Sequence, residues 1–258
     1  MNLSVVIPAR NEAASIGSTV KALFAELSRH GIEHEILVVN DHSTDGMDTV
    51  LHELAQSIPT LRYTDNPAAN GFGLAVRRGL ECFSGDAVAV FMADGSDDPA
   101  DLVRFFQTME FQGIDCVFGT RFSRESNVRG YPLLKLLLNR CGNTFIRILF
   151  GLRCNDISNA FKLYRRHVIQ GLQPILSHHY NLTVELPLKA IVRGYSYAVV
   201  PNNWKERKHG VSKLRIKEMG SRYMFIILYC FIEKWLSRKD YYRKDSVTAA
   251  PERDVKAP

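Results

Sequence analysis

The chain has 258 residues, 46% of them hydrophobic and 23% charged, which allows one large α/β domain or two small ones and excludes wholesale disorder. Its five cysteines, at positions 82, 116, 141, 154 and 230, are odd in number and form no C-x-x-C pair, which argues against a zinc site or a disulfide framework and for a reducing compartment. The formal charge of +6 is unevenly placed: residues 201–244 hold 12 Lys and Arg against 4 Asp and Glu, a composition suited to phosphate, anionic lipid or nucleic acid.

The opening segment, Met1 to Pro8, lacks the basic, apolar and cleavage regions of a signal peptide in series, so none is expected. Leu3–Ile7 reads as a short strand, followed by a Pro-Ala-Arg-Asn-Glu turn and a helix from about Ala14 to Arg29. Glu35–Asn40 is the next strand, and the turn His42–Gly46 opens a second helix with cap-forming residues. Leu61–Thr64 is a weaker strand, Gly71–Cys82 a helix behind a glycine-rich entry, and Ala87–Met92 a buried strand. After a further helix comes a strand at Val117–Thr120. Strands alternating with helices of this length predict a mostly parallel central sheet with helices on both faces.

The pattern changes after Arg121. Ser123–Gly130 reads as a mobile loop, Leu133–Phe150 as a helix interrupted by Lys135, Arg140 and Arg147, and Phe161–Tyr164 and Tyr197–Val200 as strands. The basic stretch Lys205–Lys217 precedes an apolar run, Tyr223–Ile232. Ten uncharged residues span roughly 15 Å as a helix, against about 30 Å of bilayer hydrocarbon, so the run cannot cross a membrane alone. Flanked by Arg222, Lys234, Arg238 and Lys239, it lies in a membrane interface or packs on the domain core; periodicity does not choose. The expected organisation is a domain over 1–220, this helix over 221–239, and a structureless tail over 240–258.

Ligands of an open parallel sheet bind outside the carboxyl ends of its strands. There the sequence has Pro8-Ala-Arg-Asn-Glu12 after the first strand, Asn40-Asp41 after the second, Ala93-Asp94-Gly-Ser-Asp97-Asp98 after the fourth, and Asn70-Gly-Phe-Gly73 before the third helix. Each alone has a bland reading as caps and turns; together, in order, they converge on one edge.

These motifs resemble those of the family-2 glycosyltransferases of the GT-A fold, and more closely their polyprenyl-phosphate, dolichyl-phosphate-mannose synthase-like branch. The resemblance runs collinearly over about residues 3–220. It rests on Val5–Glu12, Val38–Gly46, Asn70–Gly79, Met92–Pro99, Gly119–Phe122, Asn155–Arg165 and Trp204–Leu214, the last two pointing to the polyprenyl-phosphate branch. It implies a GT-A α/β fold and transfer of a sugar from a nucleotide-diphosphate sugar to a polyprenyl phosphate, with inversion. By resemblance, Pro8, Ala9, Glu12, Asp41, Gly71, Gly73, Ala93 and Asp94 bind the donor. The divalent cation, Mg or Mn, falls to Asp94, with Ser96 and Asp97 as further oxygen ligands. Met92 stands where the family has the first carboxylate of a D-x-D, and a thioether is a poor ligand for either metal.

On the acceptor side the resemblance assigns phosphate binding to Arg207, Ser212 and Lys213, with Arg121 and Arg129, and makes Asp94, Arg121, Arg207 and Lys213 the catalytic set. Arg supplies a bidentate fork for phosphate oxygens and Lys a point charge. Asp156 reads equally as a cap or as a residue ordering the acceptor side. His178-His179 is not read as a metal pair, because adjacent residues diverge on a helix and no third ligand is in register. The expected partners are the nucleotide sugar, the polyprenyl phosphate and an anionic membrane surface, with a homo-oligomer left open. Nucleic acid is not expected, since it would leave the acidic edge unexplained. A cytoplasmic protein, peripheral on the cytoplasmic face of the membrane, fits these features. The alternatives are a family-2 transferase with a polysaccharide or soluble acceptor, and a non-catalytic nucleotide-sugar-binding homologue.

Overall fold

The computed structural model describes residues 1–206 and 216–243. Its first half alternates β1 (Leu3–Ala9), α1 (Ala13–Arg29), β2 (His34–Asn40), α2 (Met47–Ser57), β3 (Leu61–Asp65), α3 (Phe72–Cys82), β4 (Ala87–Val90), α4 (Pro99–Gln112) and β5 (Cys116–Thr120). There follow β6 (Val128–Arg129), α5 (Leu133–Phe150), β7 (Lys162–Arg165), α6 (Arg166–Gly171), α7 (Leu182–Val192), β8 (Tyr197–Pro201), β9 (Trp204–Lys205) and α8 (Ile216–Leu236). The expected alternation of strand and helix is observed.

Seven strands form one sheet in the order β3-β2-β1-β4-β7-β5-β8. All neighbours are parallel except β7, which runs antiparallel to both β4 and β5. The reversal of β7 carried no signal in the sequence, since periodicity reports burial and not direction. Helices cover both faces, and β1 shows why its sequence is continuously apolar. Val5 and Ile7 face a core with Ile16, Val20 and Leu23 of α1 and Phe105 of α4, whereas Val6 faces the opposite core with Val76 and Leu80 of α3 and Leu186 of α7. Side chains alternating across the pleat need apolar partners on both sides.

Ser123–Gly130, expected to be a mobile loop, instead contains β6, which pairs with β9 through Val128↔Trp204 and Arg129↔Lys205. Two residues give too short a run for strand alternation to show. The boundary expected at residue 220 falls inside α8, which is continuous from Ile216. Ile226, Ile227 and Cys230 of α8 are buried in the same core as α7, so one face of the helix packs on the domain. A bidentate pair fastens it there: Arg193 Nε donates to Glu233 Oε1 at 2.7 Å and Arg193 Nη2 to Oε2 at 3.0 Å. Residues 240–243, expected to begin a structureless tail, are also held, because Arg243 donates its backbone N–H to Arg193 O at 2.8 Å and its Nη1 to Asp115 Oδ2 at 3.0 Å. The rest of that expected tail, 244–258, lies outside the described residues.

The approach of α3 to the sheet depends on Gly79, where a methyl group would collide with the side chain of Val6 on β1. Gly79→Ala is expected to destabilise the fold by about 1–3 kcal/mol through overpacking, despite the better helix propensity of alanine. The loss should be smaller when Gly79→Ala is placed in a Val6→Ala background than in the native one. A denaturant-unfolding double-mutant cycle measures this coupling.

Candidate active site

Because β1, β2 and β4 are parallel, their carboxyl ends open on one edge of the sheet, and a cavity of about 530 Å³ lies there. Pro8, Ala9 and Glu12 line it from the end of β1, Asp41 from β2, Gly71 from the entry to α3, and Met92, Ala93 and Asp94 from the segment after β4. The turns are tied together by short polar side chains. Asn11 sits at a positive φ of 51°, accepts at Oδ1 from Thr44 N at 2.8 Å, and donates its own N–H to Ser43 Oγ at 2.9 Å. Asp45 Oδ2 accepts from Ala13 N at 2.8 Å, capping the first turn of α1 from the neighbouring loop.

Asp41 is buried, and its carboxylate organises the wall as well as lining it. Oδ1 accepts from Asn66 Nδ2 at 2.8 Å and Oδ2 from Gly71 N at 3.0 Å. A side chain on Gly71 would meet His178 O at 2.6 Å, so glycine is required for the loop to approach that segment. Gly73, assigned to the donor by resemblance, does not line the cavity. A Cβ there would lie 2.6 Å from Ser177 O and from the carbonyl carbon of His178, so its absence lets α3 and the 177–179 segment meet.

The far wall is built from residues that sequence reasoning did not select: His179, Tyr180 and, from α8, Arg222. Tyr180 stacks on Phe72 with ring centroids 4.4 Å apart, and its carbonyl accepts from Tyr223 Oη at 3.2 Å. Their signal in the sequence was only the aromatic and cationic character of Tyr180 and Arg222, more than 80 residues beyond the last acidic motif.

Of the three residues expected to share a cation, Asp94 alone lines this cavity. Asp94 faces the cavity, with Oδ1 accepting from Ser96 N at 3.1 Å. Ser96 and Asp97 instead line a second cavity of about 280 Å³, together with Arg129, Trp204 and Lys205. The peptide of Asp97 bridges to Trp204, and Lys205 N donates to Ser96 O at 3.1 Å, which turns this stretch toward the β6–β9 ribbon. Among the described residues, no group of three or more His, Cys, Asp and Glu side chains is arranged to hold a metal ion.

Arg121, expected on an acceptor phosphate, is held by Asp156. Its Nε and Nη2 donate to the two oxygens of Asp156, each at 2.8 Å, and its backbone N–H donates to Oδ2 at 3.0 Å. Burial opposes the guanidinium charge, but the charge and hydrogen bonds of Asp156 outweigh it and raise its pKa above the ordinary value. One edge of the guanidinium is closed on a fully buried carboxylate. Asp156 thus orders this side of the molecule. Arg129 is exposed on the ribbon, while Arg207, Ser212 and Lys213 lie outside the described residues.

Burial, and then the charge of Asp94, push the Asp97 carboxyl up to about 7, against a hydrogen bond donated by Met92 N at 3.3 Å. An unfolded Asp titrates near 3.9, so the folded chain holds an extra proton between that value and about 7. Stability therefore falls as pH rises through this window, and the cost persists above it. Asp97→Asn removes that cost. Its melting temperature should exceed that of the native chain by roughly 3–8 °C at a pH near 8, with the gap closing near pH 5. Thermal unfolding at the two pH values measures it.

Comparison with known proteins accords with this geometry. Residues 4–172 match the family described as Glycosyl transferase family 2. The chain is 32% identical over 217 residues to a polyprenol monophosphomannose synthase of Mycolicibacterium smegmatis, covering 81% of this chain and 80% of that protein. It is 27% identical over 242 residues to an undecaprenyl-phosphate mannosyltransferase of Micrococcus luteus, covering 91% and 96% respectively. Its fold is similar to that of glucosyl-3-phosphoglycerate synthase from Mycobacterium tuberculosis in complex with UDP, with a TM-score of 0.67 at 20% identity over 89% of this chain and 80% of that one. The same enzyme in complex with Mn2+, UDP and phosphoglyceric acid gives a TM-score of 0.66. With a family match over most of its length, this neighbouring fold and a polar cavity at the carboxyl edge of its sheet, the chain belongs to glycosyl transferase family 2 and is a GT-A-fold glycosyltransferase.

Proposed function

We propose that the protein transfers a sugar from a nucleotide-diphosphate sugar, GDP-mannose or a UDP-sugar, to a polyprenyl phosphate, with inversion at the anomeric carbon. The observation that carries this reading is the near full-length similarity to two transferases named for polyprenyl acceptors, over a chain whose strand-edge cavity has the size and polar lining for a nucleotide sugar. The fold neighbours act on a soluble phosphorylated acceptor, and at 20% identity they support the fold alone.

Chemistry supplies the division of labour. A phosphate monoester is ionised at neutral pH, so the acceptor oxygen needs no dedicated base; positioning and charge neutralisation carry the reaction. Donor binding falls to Pro8, Ala9, Glu12, Asp41, Gly71, Ala93 and Asp94, with Asp41 also holding the Gly71 loop in place. Asp94 fits a divalent cation as the one carboxylate that the acidic motif after β4 places on the cavity wall, in the manner of magnesium sites that draw their other ligands from water and substrate phosphates. When bound, such a cation would neutralise the leaving diphosphate. Arg222 and His179 stand on the opposite wall of the same cavity, where cationic or donor groups suit the diphosphate or the incoming phosphate. The acceptor phosphate is assigned to Arg207, Ser212 and Lys213, on the strength of the Arg207–Lys213 motif.

The direct experiment incubates purified protein with labelled nucleotide sugars and a polyprenyl phosphate, and follows label into an organic-extractable sugar phospholipid. Label found only in soluble product would overturn the acceptor, and donor binding without any transfer would make the protein a non-catalytic homologue. Arg207→Ala should abolish lipid transfer while leaving donor affinity almost unchanged, as read by titration calorimetry. Asp94→Asn should lower kcat by about 100-fold or more. With Met92 left unchanged, manganese should bind the native enzyme much more tightly in the presence of the nucleotide sugar than alone, which titration of the metal checks.

A further inference from the structure

Arg222 stands on a face of α8 that otherwise belongs to the core. Ile226, Cys230 and Glu233 follow it at helical spacing on the same side; the first two are fully buried, and Glu233 is paired with Arg193. The other side carries Phe225, Leu228 and Ile232, all exposed. A guanidinium turned inward gives up water and calls for an anion in return. Here the inward turn brings Arg222 to the wall of the strand-edge cavity. Two contacts hold the helix in that register: Tyr223 Oη donates to Tyr180 O at 3.2 Å, and Glu233 is closed on Arg193. Tyr180 lines the same cavity and stacks on Phe72, so Arg222 is carried by a packed wall.

The charges around the cavity indicate what the guanidinium meets. The sheet edge supplies three carboxylates, Glu12, Asp41 and Asp94, with Arg10 among them. The far wall is formed by His179, Tyr180 and Arg222, and Arg222 is the one Arg or Lys there among the described residues. A nucleotide sugar between the two walls has a single anionic part, its diphosphate, to offer that cation. His179 keeps the far wall beside the nucleotide half of the cavity, since a Cβ on Gly71 would lie 3.4 Å from His179 Nδ1 and Gly71 N is bound to Asp41. Met92 adds a reason for a protein cation here. With a thioether at that position, the motif after β4 gives a divalent ion one carboxylate instead of two. Arg222 itself lies beyond the stretch matched by the family, on a helix that carries none of its motifs.

We propose that Arg222 is a catalytic residue that binds the donor diphosphate from the far wall and supplies part of the neutralisation that Met92 removes from the metal site. When the acceptor oxygen attacks the anomeric carbon, the bond from that carbon to the terminal phosphate oxygen breaks. The electron pair stays on that oxygen, so the departing nucleoside diphosphate gains a negative charge and no proton has to move. A guanidinium presents paired N–H groups to the phosphate whose charge grows, and its hold therefore strengthens toward the transition state. The proposal rests on the nucleotide-sugar reading and does not depend on which acceptor is used.

The test measures binding in excess chelator, by titration calorimetry for GDP and UDP and by ligand-observed NMR for guanosine and uridine. The variants are Arg222→Gln, Arg222→Lys and, as a control for net charge, Arg147→Gln at an exposed position of α5. Arg222→Gln should weaken binding of the preferred diphosphate about tenfold or more and leave its nucleoside unaffected, while Arg147→Gln changes neither. In transfer assays Arg222→Gln should lower kcat about 100-fold and raise the manganese concentration that gives half-maximal rate. Arg222→Lys keeps the charge but loses the fork, so it should fall between the two and reads the same interaction if the glutamine variant fails to fold by far-UV circular dichroism. Native-like diphosphate affinity in both Arg222 variants, or an equal loss for nucleoside and diphosphate, would overturn the proposal. Failure of the native chain to bind either diphosphate would overturn the donor reading along with it. Transfer to a soluble acceptor alone would overturn the lipid reading and leave the role of Arg222 standing.

Discussion

A sheet covered on both faces has one place for polar chemistry, and that constraint organises the molecule. Along β1, every residue from Leu3 to Ala9 is buried, with successive side chains entering opposite cores. A charged group inside such a strand would have to be paired or neutralised. Lys162 on β7 shows the cost: burial pushes its amine down to about 7, and it is held by the carbonyl oxygens of Asn159 and Thr183. Polar residues that must meet a ligand therefore collect where the strands stop, and parallel β1, β2 and β4 stop on the same side.

The edge alone does not make a cavity; it needs an opposite wall. The chain supplies one by bringing residues 177–180 against the start of α3, in an approach that Gly71 and Gly73 permit. α8 lies behind that segment, fastened through Tyr223 to Tyr180 and through Glu233 to Arg193. The Arg193–Glu233 pair is buried, and losing either partner would leave an uncompensated charge in the core. It fixes the helix that carries Arg222 into the cavity and Phe225 onto the exposed face.

The acidic motif after β4 is divided by the same geometry. Asp94 and Met92 line the strand-edge cavity, while Ser96 and Asp97 line the cavity beside the β6–β9 ribbon, with the Asp97 carboxylate accepting from Met92 N between the two. Arg121 and Asp156 likewise complete each other across the end of β5 and brace the segment leading to β7. Residues that chemistry would recruit individually are here partners of one another, and the groups left facing the cavity are fewer and more dispersed than the motifs suggest.

The sequence by itself determined the α/β alternation, the edge on which Pro8, Glu12, Asp41, Gly71 and Asp94 converge, and the family. These follow from local rules: hydrophobic period, turn chemistry, and the need to end a buried strand before polar groups begin. Asp41 and Gly71 were legible because each sits directly at a strand or helix terminus. Only the tertiary structure decided that β7 runs backward, that Gly73 serves packing, that Arg121 is closed on Asp156, and that His179, Tyr180 and Arg222 form the far wall. It also decided which of the two apolar faces of α5 is spent on the core, because the pattern of a helix records how much surface is apolar but not which side the rest of the chain will cover.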